Sequence, residues 1–387
     1  MALNNTTAVE QYPEPLGSTW FRHTCFGLLT LLSVLGNSVV IKSIITMETR
    51  KPLTYVLVAN LAFAELIGAL TLPAIQVYDE VFTWPFGDFL CHVFSPSQVV
   101  SCLIITWTLA IISIYRFFTL FNVGFGLRYS TSQRNVLLLI LWIAALGFCA
   151  PMFVYSKVVR SPFDASFIWC VVLFDGDTIF NFPFFKKYML ARFLVNFVIP
   201  ILIMVVFYGA MVVKLKCHMT NQIHPNTATY PSMELQTSIS TNTTTESSIS
   251  STKLSQSRST SRTGKNWEPK RKGKRGRRTR MEDENTLILQ LDQDLLNMIY
   301  VAVSIFIVCF LPYQVFHLLE YFDALSYKNW QYFLITRRYV FLVTCVPSAL
   351  HPMCYGTMSR FYAKAFSYVF LCKIVKRQDK IVNTETI

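Results

Sequence analysis

Long apolar runs separated by short polar stretches make up most of the chain. Seven of these runs, at about 24–46, 53–76, 92–121, 135–156, 190–214, 296–319 and 332–356, have helix length and carry few charges. A bilayer-spanning helix needs roughly 20 mainly apolar residues. Several runs contain Pro, which a membrane bundle tolerates because neighbouring helices re-satisfy the freed backbone groups. The pattern predicts an all-α membrane protein built as a bundle of seven transmembrane helices. An odd number of spans puts the two ends on opposite sides, which excludes a simple even-span transporter with both ends inside. The first 22 residues have no apolar core followed by a small-residue cleavage site, so the first span is expected to act as its own signal-anchor.

Two segments depart from this pattern. Residues 221–285 are rich in Ser and Thr, poor in large apolar side chains, and end in a basic block. Such a stretch cannot bury enough surface to offset its chain entropy, so it is expected to be a disordered loop. After the last apolar run, Phe361, Ala365, Tyr368 and Val369 fall near one helical face and Arg360 and Lys364 towards the other. That arrangement predicts an interfacial amphipathic helix along the inner leaflet, with Cys372 after it as a palmitoylation candidate. The expected order is an N-terminal tail (1–23), spans one to five (24–220), the third cytoplasmic loop (221–285), spans six and seven (286–356), and the interfacial helix with the C-terminal tail (357–387).

Composition agrees with this picture. Of 387 residues, 53% are hydrophobic and 15% charged, against about a quarter charged in soluble domains. Much of the formal +13 sits in 265–280, KNWEPKRKGKRGRRTR. Alone, that block would point to nucleic acid. A soluble nucleic-acid binder has no use for several helix-length apolar segments, so the block is expected to lie against anionic lipid, where each cation adds about 1 kcal/mol. Lys and Arg are denser in the loops on that side, which orients the N-terminus outside at the plasma membrane. The sequons at Asn4 and Asn5 then fall outside and are open to glycosylation, whereas the one at Asn242 is cytoplasmic and stays bare.

Polar residues inside spans are functional candidates by default. Gly36-Asn37-Ser38-Val39 lies in span one, Asn60-Leu61-Ala62-Phe63-Ala64-Glu65 in span two, and Tyr115-Arg116-Phe117 closes span three, with Arg116 25 residues after Cys91. Trp142 and Pro151 mark span four, Pro200 and Tyr208 span five, Cys309-Phe310-Leu311-Pro312 span six, and His351-Pro352-Met353-Cys354-Tyr355 span seven. In this order and spacing the chain resembles the rhodopsin-like G-protein-coupled receptors, over all seven spans. The corresponding family motifs are GNxxV, NLAxxD, DRY, CWxP and NPxxY.

The resemblance implies several roles. Arg116 belongs to a switch, held at rest by carboxylates and released to engage a heterotrimeric G protein; Asp292 occupies the acidic partner position on span six. Tyr208 and Tyr355 belong to the same switch, Phe310 and Pro312 to the toggle, and Asn37, Glu65 and His351 to a polar network in the bundle core. Cys91 and Cys170 are the pair expected to form the family's disulfide. Arrestin and kinases are the expected partners of 221–285 and the tail. The departures also carry consequences. Tyr115 stands where the family has an acidic residue, which implies a weaker latch and some ligand-independent signalling. Phe310 replaces a tryptophan, and Glu65 and His351 replace Asp and Asn. With Ile105 and Pro347 at small polar positions, poor sodium binding follows, and Glu65 is expected to pair with His351. His ionises in the physiological range, so the pair could respond to pH or could be a neutral hydrogen-bonded pair.

The ligand is narrowed by exclusion. Amine receptors in the family carry Asp eighteen positions before the switch arginine, and here that position is Gln98; opsins carry Lys seven positions before the span-seven proline, and here it is Cys345. Gln98 resembles the residue of many neuropeptide receptors, and a side-chain amide that both donates and accepts suits an amidated peptide terminus. The expected pocket wall is Gln76, Gln98, Val99, Arg192, Asn196, Tyr313, Gln314, His317 and Phe341. Asp79, Glu80, Glu320 and Asp323 at the mouth suit a basic peptide, whereas Arg192, Arg337 and Arg338 suit a carboxylate. The expected function is a peptide-activated receptor, with a lipid or small-acid receptor, a weakly coupling or decoy receptor, and a transporter as alternatives. No catalytic or metal-binding motif is present in the sequence, so neither enzyme activity nor a cofactor or metal is expected.

Overall fold

The computed structural model describes residues 11–47, 52–121, 130–162, 164–178, 183–223, 298–322, 324–326 and 328–370. Seven of its helices are long and apolar enough to cross a membrane. They are α1 (Leu16–Ile45), α2 (Leu53–Val81), α3 (Gly87–Phe121), α4 (Thr131–Tyr155), α5, α6 (Met298–Tyr321) and α7 (Phe333–Met358). Three consecutive pieces form α5: Pro183–Phe193, a π-helical turn at Leu194–Val198, and Ile199–Ile223. A short α8 (Arg360–Phe370) follows α7 after a break at Ser359.

The helices outrun the apolar windows that reveal them, notably at the start of α1 and at both ends of α5. Hydropathy marks only the bilayer-crossing part, whereas backbone hydrogen bonding continues into the polar ends. Local chemistry fixes several boundaries. Pro52 precedes the first residue of α2, where a missing N–H costs nothing. Ser130 and Gln133 form a reciprocal capping box at the start of α4. Phe82 ends α2 in the left-handed region (φ 53°), and Gly87 (φ 76°) reverses the chain into α3.

The helical bundle carries one small β element in a loop. Between α4 and α5, β1 (Ser156–Arg160) and β2 (Ile168–Val172) form an antiparallel hairpin in which Val158 faces Cys170. Their sequences, SKVVR and IWCVV, are rich in β-branched and aromatic residues. The Cys91–Cys170 disulfide is present, with Cα atoms 5.6 Å apart, and it ties β2 to the first turns of α3.

The helical core lies in the unit that holds α1–α4, the hairpin, α5 up to Lys214, and α6–α8. There α3 is central: Leu103, Ile104, Leu109 and Ile112 are buried in one hydrophobic cluster with residues of α2, α5 and α6. Polar bridges lock the packing. Asn60 donates to Thr108 Oγ1 (2.9 Å) and accepts from Trp142 Nε1 (2.9 Å), joining α2, α3 and α4. Asn37 Nδ2 donates to the Ser348 carbonyl (3.0 Å), joining α1 and α7.

Candidate functional site

At the disulfide end, a cavity of about 1010 Å³ opens between the helices, the size range of small-molecule and cofactor sites. Its walls come from α2, α3, α5, α6 and α7, and the hairpin supplies Trp169, Cys170 and Val171. Gln98, Val99, Arg192, Asn196, Tyr313, Gln314, His317 and Phe341 all line it. Gln76 is not among the lining residues; its amide nitrogen is buried without a hydrogen-bond partner among the described residues.

The wall is built by local helix irregularity as well as by side chains. The π-turn widens α5 at Asn196, whose Oδ1 accepts from Thr106 Oγ1 (3.1 Å), and the Val195 carbonyl accepts from Trp107 Nε1 (3.1 Å). Such single-turn π-bulges often mark functional sites. Gln98 is committed within the bundle. Its Nε2 donates to the Gly68 carbonyl (2.8 Å) and is also hydrogen-bonded to Thr71 Oγ1. A carbonyl can only accept, so the nitrogen must face Gly68. With both N–H donors engaged, Gln98 offers a ligand only its carbonyl oxygen, not the donor and acceptor together.

An ion network closes the rim beside α1 and α7. Glu14 accepts from Arg22 (Nε 3.1 Å, Nη2 3.0 Å) and from Arg338 Nη1 (2.9 Å). Arg22 Nη2 reaches Glu80 Oε2 at 2.8 Å, and Arg338 Nε reaches Asp79 Oδ2 at 3.1 Å. Three carboxylates thus surround two guanidiniums, and Arg22 is fully buried. Partial burial acts to raise the Glu14 pKa, but hydrogen bonds from Arg22 and Arg338 outweigh it and hold the carboxyl below its ordinary value. The N-terminal segment is further tied by Gln11 Nε2 to the Trp330 carbonyl (3.0 Å) and Tyr12 N to the Gln331 carbonyl (2.9 Å). Gln11 itself lines the cavity. Asp323 lies outside the described residues.

At the cavity floor, His351 and Glu65 are in contact, both essentially buried. His351 Nδ1 is hydrogen-bonded to Glu65 Oε1, and Nε2 lies 3.1 Å from the Ala302 carbonyl on α6. Phe310 stacks on Phe306, with centroids 4.4 Å apart. Towards the opposite end, Arg116 is 2% exposed and Tyr115 is buried beside it. Tyr208, within electrostatic range of Arg116, packs edge-on against Tyr300 of α6. Tyr355 lies between His351 and Tyr362, with ring centroids 6.4 and 6.0 Å away. Asp292, Asn4, Asn5 and Cys372 fall outside the described residues.

Residues 36–355 match the model of the 7 transmembrane receptor (rhodopsin family). The chain belongs to that family. It is therefore a multi-pass membrane receptor, not an enzyme. Among curated relatives, the receptor is 31% identical to C-X-C chemokine receptor type 2 of Gorilla gorilla gorilla (51% of this chain, 54% of the relative). It is 29% identical to neuropeptide Y receptor type 2 of Gallus gallus (50% of each) and 24% identical to C-C chemokine receptor type 1 of Macaca fascicularis (48% and 52%). The receptor chain spans about half the length of these relatives.

Glu14, Arg22 and Trp84 escaped the sequence reading. A cation inside the first turns of an apolar helix was the available signal for Arg22. Glu14 lies in the polar segment before the first apolar run, eight positions from Arg22, while its other partner, Arg338, is 324 positions away.

Proposed function

We propose that this receptor sits in the plasma membrane with its N-terminus outside, binds an extracellular peptide in the cavity, and activates a heterotrimeric G protein through Arg116. One observation carries the proposal. Gln98 in the cavity wall and the buried Arg116 stand on the same continuous helix, about 27 Å apart at 1.5 Å per residue. A ligand that shifts α3 against α5 and α6 acts directly on Arg116 and its neighbour Tyr208. The peptide reading is supported by the cavity's size and hairpin rim, and by relatives whose names include neuropeptide Y and chemokine receptors. The latch reading pairs Arg116 with Asp292 at rest, and Tyr115 in place of an acid leaves that latch weak. Glycosylation at Asn4 and Asn5, palmitoylation at Cys372, and kinase and arrestin engagement of 221–285 and the tail complete the proposal.

A second reading, a receptor for a lipid or small acid, is favoured by Arg192 in the cavity wall. The test is a second-messenger assay in cells expressing the full chain with a promiscuous G protein, against a panel of peptides and fatty acids. Wild type is expected to give output above mock-transfected cells before any ligand and a further rise with an active peptide. Arg116→Ala is expected to lose at least about tenfold of the response, roughly 1.4 kcal/mol, at equal surface expression. Output at the mock level under every condition would favour a decoy receptor.

A further inference from the structure

The charges around the cavity do not cancel locally. Asp79 and Glu80, acids that would suit a basic ligand, are taken up by Arg338 and Arg22. Glu320 lies 2.7 Å from His317 Nδ1. Arg338 is likewise occupied, by Glu14 and Asp79. Arg192 and Arg337 remain, and both line the cavity. Neither has a carboxylate within ion-pair distance among the described residues. Glu320 and Asp79 lie only within longer Coulombic reach of Arg337. The titratable groups within electrostatic reach of Arg192 are the hydroxyls of Tyr188, Tyr313 and Tyr321 and the Cys102 thiol. The two guanidiniums, from α5 and α7, both act on Tyr313, His317 and Tyr321 of α6, so they face one region of the cavity.

Within the cavity lining Arg192 is half-buried and Arg337 is exposed, and a partly desolvated guanidinium without an ion-pair partner gains from an anion that enters beside it. Its planar fork matches a carboxylate bidentately. We propose that the ligand enters with a carboxylate seated on Arg192, with Arg337 as the second cation. The inference rests on the ligand-receptor reading above and deepens it by naming the group that the cavity recognises. It also places the ligand's polar head towards α5 and α6 rather than at Gln98, where only a carbonyl oxygen is available. A peptide's free C-terminus and a fatty acid share this chemistry.

The test uses purified full-length receptor in lipid nanodiscs and affinity selection read by mass spectrometry, so no G protein is needed. Four probe sets are compared: N-acetylated tetrapeptide acids, the same peptides as C-terminal amides, long-chain fatty acids, and their primary amides. Acids of one source are expected to be retained at least about tenfold over their amides. Arg192→Gln is expected to weaken the retained acid by about thirtyfold or more, Arg192→Lys by less, and Arg337→Gln by an intermediate amount. Which acid set is retained identifies the source. Retention of amides equal to or above acids on wild type overturns the carboxylate but leaves the receptor reading standing. Unchanged acid binding in Arg192→Gln does the same. Failure of wild type to retain any of the four sets overturns both. The acid-against-amide comparison is made on wild type and does not depend on how well a variant folds.

Discussion

Glu14 shows how much one side chain outside the apolar runs can hold. Its two oxygens receive three guanidinium N–H groups from α1 and α7, and its own side chain is only 5% exposed. Its pKa is depressed in the folded chain. Its stabilisation is therefore complete above the unfolded value, about 4.3, and is lost as pH falls through the lower folded value. Glu14→Gln is expected to reduce stability at neutral pH by about 1–3 kcal/mol and to flatten part of the acid limb. Thermal unfolding of purified receptor between about pH 3 and pH 7 measures both; an acid limb identical to wild type would contradict the assignment. The Glu65–His351 pair makes a second case. Because the Ala302 carbonyl only accepts, His351 Nε2 must carry a hydrogen, and Nδ1 and Glu65 Oε1 share a single proton. The amide of Glu65→Gln can still donate to Nδ1 and is expected to stay within about 1 kcal/mol of wild type. Glu65→Ala strands a buried nitrogen and is expected to cost about 1–3 kcal/mol. Equal melting temperatures for the two variants would show that the hydrogen bond contributes nothing.

Helix contacts turn on small residues at close approaches. A Cβ added at Gly36 would stand 2.7 Å from Pro352 Cβ, and that ring cannot swing aside. Gly36→Ala must therefore push α1 from α7 and strain the Asn37–Ser348 bond, at an expected cost of about 1–3 kcal/mol. Gly27, also on α1, has nothing within 4 Å of such a Cβ. Gly27→Ala should be neutral or stabilising by up to about 1 kcal/mol, since Ala is the better helix former. A thermal-shift comparison of the two in one detergent decides whether packing or propensity governs α1. The seven helices were legible in the sequence because a bilayer demands a long run from each of them. The hairpin was not, because two five-residue strands carry little signal and pair with each other rather than with the bundle. Gln98, Arg192 and His317 were legible as wall residues from their place in the spans. That Asp79, Glu80 and Arg338 neutralise one another was not, because their pairing depends on how α1, α2 and α7 meet.

Across the whole receptor, the rim of the cavity depends on how the hairpin is joined to the helix ends, and Trp84 sits at one such joint. Its backbone N–H donates to the Ile168 carbonyl of β2 (2.7 Å), and Ile168 N donates back to Thr83 Oγ1 (3.0 Å). Its indole Nε1 donates to the Gly87 carbonyl at the start of α3 (2.7 Å), and its ring packs against Tyr78, Phe86 and Phe94. The end of α2, the hairpin and the start of α3 thus meet at one buried side chain, while the disulfide joins the last two covalently. Trp84→Phe keeps most of the ring packing and loses the indole bond, an expected cost of about 1 kcal/mol. Trp84→Ala empties the joint, and about 3–5 kcal/mol is expected. The backbone bonds to β2 survive only if the α2–α3 turn keeps its shape without the ring. Hydrogen exchange over 156–172 is therefore expected to rise in Trp84→Ala more than in Trp84→Phe, with little change around Arg116 at the far end of α3. Hairpin protection unchanged in Trp84→Ala would mean that the disulfide alone seats the hairpin over the cavity.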